Sequence, residues 1–223
     1  MTASRARMLH LLVAVVATGA VAFQAVLVFS GEAVLNDEVP PLATRLYRLA
    51  AYFTIQSNVL VAVTSWQLWR DPARDGRWWR PVRLAALVGI TVTGLVHFVL
   101  LRPLLDLDGA NWVVDKLLHM VVPVLAVLAW FLVGPRRRVT WRTVGESLVW
   151  PVVWTGWTLV VGALSGWYPY PFLNPANDGV GAVVVACLGI TVLFLALFAG
   201  VRGLDHRLAP APAGELSPAS RAR

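Results

Sequence analysis

A chain of 223 residues is long enough for one or two globular domains, but 58% of its residues are hydrophobic and only 14% are charged. With a mean hydropathy of +0.67, that composition excludes a soluble fold and points to a membrane protein. The net charge of +7 would suit nucleic acid in a soluble protein, but here it follows membrane topology, and no nucleic-acid partner is expected.

Six apolar segments appear in order: Met8–Phe29, Leu46–Trp69, Val82–Leu101, Trp112–Val133, Val144–Ser165 and Gly179–Val201. Each has about 20 residues, enough at 1.5 Å per residue to cross a hydrocarbon core of about 30 Å. The first follows Arg5 and Arg7 and contains Ala20-Val21-Ala22, as a signal peptide would. Its apolar run is longer than an h-region, so an uncleaved span is expected. The fold class is therefore all-α, a polytopic bundle of six transmembrane helices over residues 1–201. The tail at 202–223, rich in Pro, Ala and Arg, is expected to be disordered.

Arginine and lysine fix the expected orientation. The N-terminus, the second and fourth connections and the tail hold fifteen of them, and the alternate connections hold only Arg45, Arg48, Arg102 and Lys116. By the positive-inside rule both termini are cytoplasmic. Trp66, Trp69, Trp130 and Trp141 fall near the inner ends of spans, and Trp112 and Trp167 near the outer ends, as interfacial belts require. Trp150, Trp154 and Trp157 repeat at helical spacing along the fifth segment, a stripe that suits packing. No internal repeat is evident, which weakens an inverted-repeat transporter reading. The single Cys187 can form no intramolecular disulfide.

The second segment carries Thr54, Gln56, Ser57 and Asn58, polar groups that need partners because lipid supplies none. Thr54, Ser57 and Asn58 share a face, and Gln56 points elsewhere. The segment runs from outside to inside, which puts Thr54 about 12 Å below the outer surface. The fourth segment opens with Asp115 and, four residues later, His119, so carboxylate and imidazole share a face at similar depth. A hydroxyl, a histidine and a carboxylate in series are the parts of an activated nucleophile, and Asn58 could donate to an oxyanion. The plain alternative is a threonine bonded to its own i−4 carbonyl.

His97, near the outer end of the third segment, offers a second imidazole at that depth and hence a haem reading. No cluster of His, Cys or carboxylates has metal-ligand spacing in the sequence, so neither cofactor nor metal is expected. The fifth connection, Gly166-Trp-Tyr-Pro-Tyr-Pro-Phe-Leu-Asn174, is uncharged and aromatic. It suits either a loop lying in the headgroup layer or a lid over a cavity.

Phe53-Thr54-Ile-Gln-Ser-Asn58, the Asp115-Lys-Leu-Leu-His119-Met-Val-Val-Pro123 stretch and Gly166-Trp-Tyr-Pro-Tyr-Pro171 resemble a family of actinobacterial six-helix membrane proteins. That family is distantly similar to the eukaryotic androgen-induced and androgen-dependent intramembrane threonine hydrolases, which cleave fatty acid esters of hydroxy fatty acids. The resemblance implies Thr54 as nucleophile and His119 as its partner, acting on a fatty acyl ester in the cell membrane; the residue pattern itself adds Asp115 and, less directly, Asn58 in support. Two departures stand out: more polar surroundings at Thr54, and Asn174 where bacterial relatives often have aspartate. The competing expectation is a non-enzymatic membrane regulator, lipid-binding protein or transporter subunit that uses the same polar face for binding.

Overall fold

The computed structural model describes residues 3–32 and 39–208, and the regular structure among them is entirely helical. In chain order the helices are α1 (Ala3–Ser30), α2 (Leu42–Ala51), α3 (Phe53–Arg70), α4 (Trp79–Val96), α5 (Gly109–Lys116), α6 (Val122–Val133), α7 (Trp141–Ser165) and α8 (Pro175–Arg207). A π-helical turn, His97–Leu101, prolongs α4, and another, Leu117–Val121, joins α5 to α6. With these joins, five rods among the described residues are long and apolar enough to cross a membrane: Ala3–Ser30, Trp79–Leu104, Gly109–Val133, Trp141–Ser165 and Pro175–Arg207. That is the architecture of a multi-pass membrane protein. Apolar side chains such as Val152, Leu164 and Val185 are exposed on its outside, where lipid would meet them.

The remaining expected span, Leu46–Trp69, is not one helix. It is built as α2 and α3 with a break at Tyr52, whose backbone is extended (φ −65°, ψ 126°). A break strands the last carbonyls of one helix and the first amides of the next, and within a bilayer side chains must satisfy them. Gln56 Nε2 donates to the Ala50 carbonyl at 2.9 Å and Trp154 Nε1 to the Ala51 carbonyl at 2.8 Å. The Thr54 amide donates to the Tyr170 hydroxyl at 3.1 Å. Gln56 is held in turn by Trp150 Nε1, 2.9 Å from its Oε1. These side chains are what make the break tolerable.

Two apolar cores share α3 and α4. In the first, Val13, Ala17 and Ala20 of α1 meet Val61 of α3, Ile90 of α4 and Val122 of α6. Small residues on α1 let that helix lie close against α3. In the second, Phe53 and Val92 meet Phe194 and Phe198 of α8, and Tyr170 joins them from the α7–α8 connection. Trp150 stacks on Phe53 (4.4 Å between ring centres, 15° between planes) and Trp154 meets it edge-on at 5.1 Å. Two tryptophans of the stripe therefore pack inward, while Trp157 faces out.

The α7–α8 connection turns into the bundle instead of lying across its surface. Gly166 ends α7 in the left-handed region (φ 73°), and Tyr170 is buried. Tyr168 seats against Gly162, where a Cβ would come within 2.1 Å of its ring, so only glycine fits there. The last helix starts at Pro175, breaks at Gly179 (φ 81°) and runs on to Arg207, past its expected end at Val201. Residues 202–207 of the expected tail are thus helical. Buried Asp205 accepts the Arg138 and Val139 amides at 2.7 and 2.9 Å, tying the α6–α7 connection to α8. Residues 209–223 of that tail lie outside the described residues.

Candidate active site

Thr54 is the second residue of α3. In an unbroken helix its hydroxyl could turn back on the i−4 carbonyl, as Ser57 does to Phe53 O at 2.8 Å and Thr64 to Leu60 O at 2.8 Å. After the break at Tyr52 that carbonyl belongs to α2, and Ala50 O is taken by Gln56. The Thr54 hydroxyl points across the bundle instead. Its Oγ1 lies 3.2 Å from His119 Nε2 and 3.2 Å from the Tyr170 hydroxyl.

His119 sits in the π-turn between α5 and α6, a wide-turn feature common at functional sites. Its Nδ1 is 3.0 Å from Asp115 Oδ1 and 3.0 Å from the Asp115 carbonyl. A proton on Nδ1 satisfies both acceptors, which leaves Nε2 as an acceptor facing the Thr54 hydroxyl. The second oxygen of Asp115, Oδ2, lies 2.9 Å from Lys116 Nζ and 3.4 Å from His97 Nε2. Thr54, Asp115 and His97 are buried, and His119 is partly open.

Asn58 has a different task from oxyanion donation. Its Nδ2 donates to Thr54 O at 2.8 Å and Leu118 O at 3.3 Å, so both amide protons are committed. They bind α3 to the π-turn carrying His119. The other polar group beside Thr54 Oγ1 is the Tyr170 hydroxyl, 3.2 Å away. Burial pushes its phenol up to about 12, which keeps it a neutral donor at ordinary pH. Spacing alone could not reveal Tyr170: it lies 116 residues from Thr54, and its only signal was the Pro-flanked aromatic loop.

His97 stacks face to face on His119, with ring centres 3.9 Å apart and planes at 13°. Nothing fits between rings that close, and a bis-histidine haem needs its porphyrin between them. The same approach gathers His97, Asp115 and His119 into a group whose ligand atoms lie within 4.8 Å of one another. Sequence spacing missed this group because two separate spans supply it. Two imidazoles and a carboxylate are a donor set that zinc or iron can take. The two rings are, however, nearly parallel at 13°, and Lys116 Nζ stands 2.9 Å from Asp115 Oδ2.

Two cavities meet at Thr54 and Tyr170. One of about 590 Å³ is lined by Arg45, Arg48, His97, Asp115 and His119 among others. The other, about 290 Å³, is mostly apolar, with Val92, Trp154, Ile190 and Phe194 in its wall beside several threonines. Both walls include Thr54 and Tyr170, and the wider cavity carries the charged side chains.

Comparison of the chain with family models, with curated proteins and with solved structures finds no match.

Proposed function

We propose that the chain is an intramembrane hydrolase of a lipid ester in the cell membrane, a six-span protein with both ends cytoplasmic, with Thr54 as nucleophile and His119 as general base. The observation that carries this reading is the line from Thr54 Oγ1 to His119 Nε2 (3.2 Å) and from His119 Nδ1 to Asp115 Oδ1 (3.0 Å). Nucleophile, base and orienting carboxylate have these relations in triad chemistry. The sequence resemblance to intramembrane threonine hydrolases supports the same roles.

In the first step Nε2 takes the Thr54 proton as Oγ1 attacks the acyl carbon, and Asp115 steadies the imidazolium. The Tyr170 hydroxyl, 3.2 Å from Oγ1, donates toward the charge that forms. His119 then returns the proton to the departing alcohol oxygen as the ester C–O bond breaks, leaving an acyl-threonine. Water, activated by the same Nε2, attacks that ester. The acid leaves and Thr54 regains its proton. The apolar cavity suits the hydrocarbon arm of such a substrate, and the wider cavity, which contains His119, suits the alcohol arm.

Fluorophosphonate labelling of the purified protein tests this. Wild type should be labelled at residue 54, Thr54→Ser should retain labelling, and Thr54→Ala and His119→Ala should lose it. Equal labelling of all four removes the hydrolase reading. The second reading, a non-enzymatic lipid-binding protein, draws on the same cavities. It predicts that Thr54→Ser and Thr54→Ala bind lipid alike and that neither they nor the wild type turn it over.

A further inference from the structure

His97 has no role in the chemistry above, yet it is among the most buried residues of the chain, at 1% exposure. A buried polar ring is costly unless something repays it. Here neither ring nitrogen makes a hydrogen bond of good geometry, and the polar contact is the 3.4 Å ion-pair approach of the Nε2 edge to Asp115 Oδ2. Its other partner is the face of His119, 3.9 Å away.

Two backbone features bring it there. His97 opens the π-turn at the end of α4, and His119 lies within the π-turn after α5, so both helices widen at the level where the rings meet. One turn before His97, Gly94 lies so close to the neighbouring helix that a Cβ would stand 3.2 Å from the His119 carbonyl and 3.2 Å from Pro123. A side chain there would force the helices apart. The close approach places one imidazole flat against the other and sets both over one carboxylate.

We propose that His97 is a positioning residue. It holds Asp115 from the Oδ2 side and, through that carboxylate, keeps His119 with Nδ1 on Oδ1 and Nε2 toward Thr54. Asp115 is then fixed on both oxygens, by His119 on one and by His97 and Lys116 on the other. The kinetic consequence rests on the hydrolase reading above; the asserted geometry does not.

Two substitutions separate the two functions of the ring. His97→Gln keeps an N–H for Asp115 and gives up the stack; His97→Phe keeps a flat ring and gives up the N–H. The chain has four histidines, so ¹⁵N-imidazole spectra of the micelle-solubilised protein can be assigned by single substitutions and report the His119 tautomer directly. Wild type and His97→Gln should show His119 protonated at Nδ1, and His97→Phe should show a mixture. In fluorophosphonate kinetics, His97→Phe should lose about 10–100-fold in the labelling step, the size seen when the outer partner of a metal-bound histidine is removed, with probe binding unchanged and His97→Gln close to wild type.

Wild-type spectra and kinetics in His97→Phe would overturn the proposal and leave the ring as packing. So would losses in both variants that simply follow their melting temperatures. A stoichiometric metal in the purified wild type, absent from both variants, would overturn it in favour of a metal centre. If the wild type is not labelled at all, the hydrolase reading fails, and the tautomer spectra alone decide the positioning role.

Discussion

Replacing Tyr170 with phenylalanine removes one oxygen from the centre of the site and little else. The ring keeps its stack on Phe172 (5.4 Å) and its edge contact with Tyr52 (5.7 Å). The lost oxygen accepts the Thr54 amide at 3.1 Å and meets the Thr54 hydroxyl at 3.2 Å. Side-chain hydrogen bonds in membrane bundles average about 0.6 kcal/mol, so two ordinary ones would sum to little more than about 1 kcal/mol. The amide, however, is a helix-start donor in a buried position, and orphaning such a group costs about 1–3 kcal/mol. The loss in stability should therefore fall within that upper range. Reversible unfolding in mixed micelles measures it. Tyr168→Phe is the control, because the Tyr168 hydroxyl makes no hydrogen bond among the described residues, and its effect should stay within about 0.5 kcal/mol. Labelling of Thr54 should slow as well, since removing a donor from a developing oxyanion costs up to about 100–1000-fold. A Tyr170→Phe protein as stable as the Tyr168→Phe control would show that the phenol does not satisfy the helix start, and the account of the broken span would fail with it.

Gly162→Ala places a methyl group 2.1 Å from the Tyr168 ring, so melting should show the about 1–3 kcal/mol typical of overpacking; Gly156→Ala, with open space around it, should be neutral or slightly stabilising. Asp205→Ala removes an acceptor shared by the Arg138 and Val139 amides; each bond to a charged group is worth about 1.5–3 kcal/mol, and limited proteolysis should detect a loosened α6–α7 connection. The hydrogen bond from Arg80 holds the Asp75 carboxyl down at about 2, below its ordinary 3.8. Because the folded value is depressed, the bridge contributes fully above pH 4 and is lost as pH falls through about 2. Both partners are more than a third exposed, so Asp75→Asn should cost less than about 1 kcal/mol at neutral pH, and melting curves of variant and parent should converge in strong acid.

The helical class and the positions of five spans could be read from the sequence because apolar runs of spanning length leave few alternatives. The structured ends differ by a few residues, as at Pro175 and Arg207, where proline starts the helix and a buried carboxylate holds its last turn. The break at Tyr52 could not be read, since no glycine or proline marks it. It exists because Gln56, Trp154 and Tyr170 satisfy its loose ends, and two of those lie more than 100 residues away. Thr54, His119 and Asp115 stood out as polar groups at one depth. His97 stood at that depth too, but its stack on His119 and the entry of Tyr170 from the α7–α8 connection are tertiary contacts that single-chain periodicity does not encode. Asn58 shares a face with Thr54, yet face-sharing says nothing of which carbonyls claim its amide.

The break at Tyr52 has an electrostatic consequence as well. The peptide dipoles of α3 add up to about half a positive elementary charge at its first turn, where Thr54 is the second residue. In the proposed chemistry, an oxygen taking on negative charge there would meet the positive pole of the eighteen-residue α3, offset in part by the carbonyl end of α2 at Ala51, in a medium that screens both weakly. Such a pole favours negative charge without the desolvation cost of an extra buried cation. A helix running unbroken through Tyr52 would pair the Thr54 amide with the Ala50 carbonyl and move that pole away toward the membrane surface.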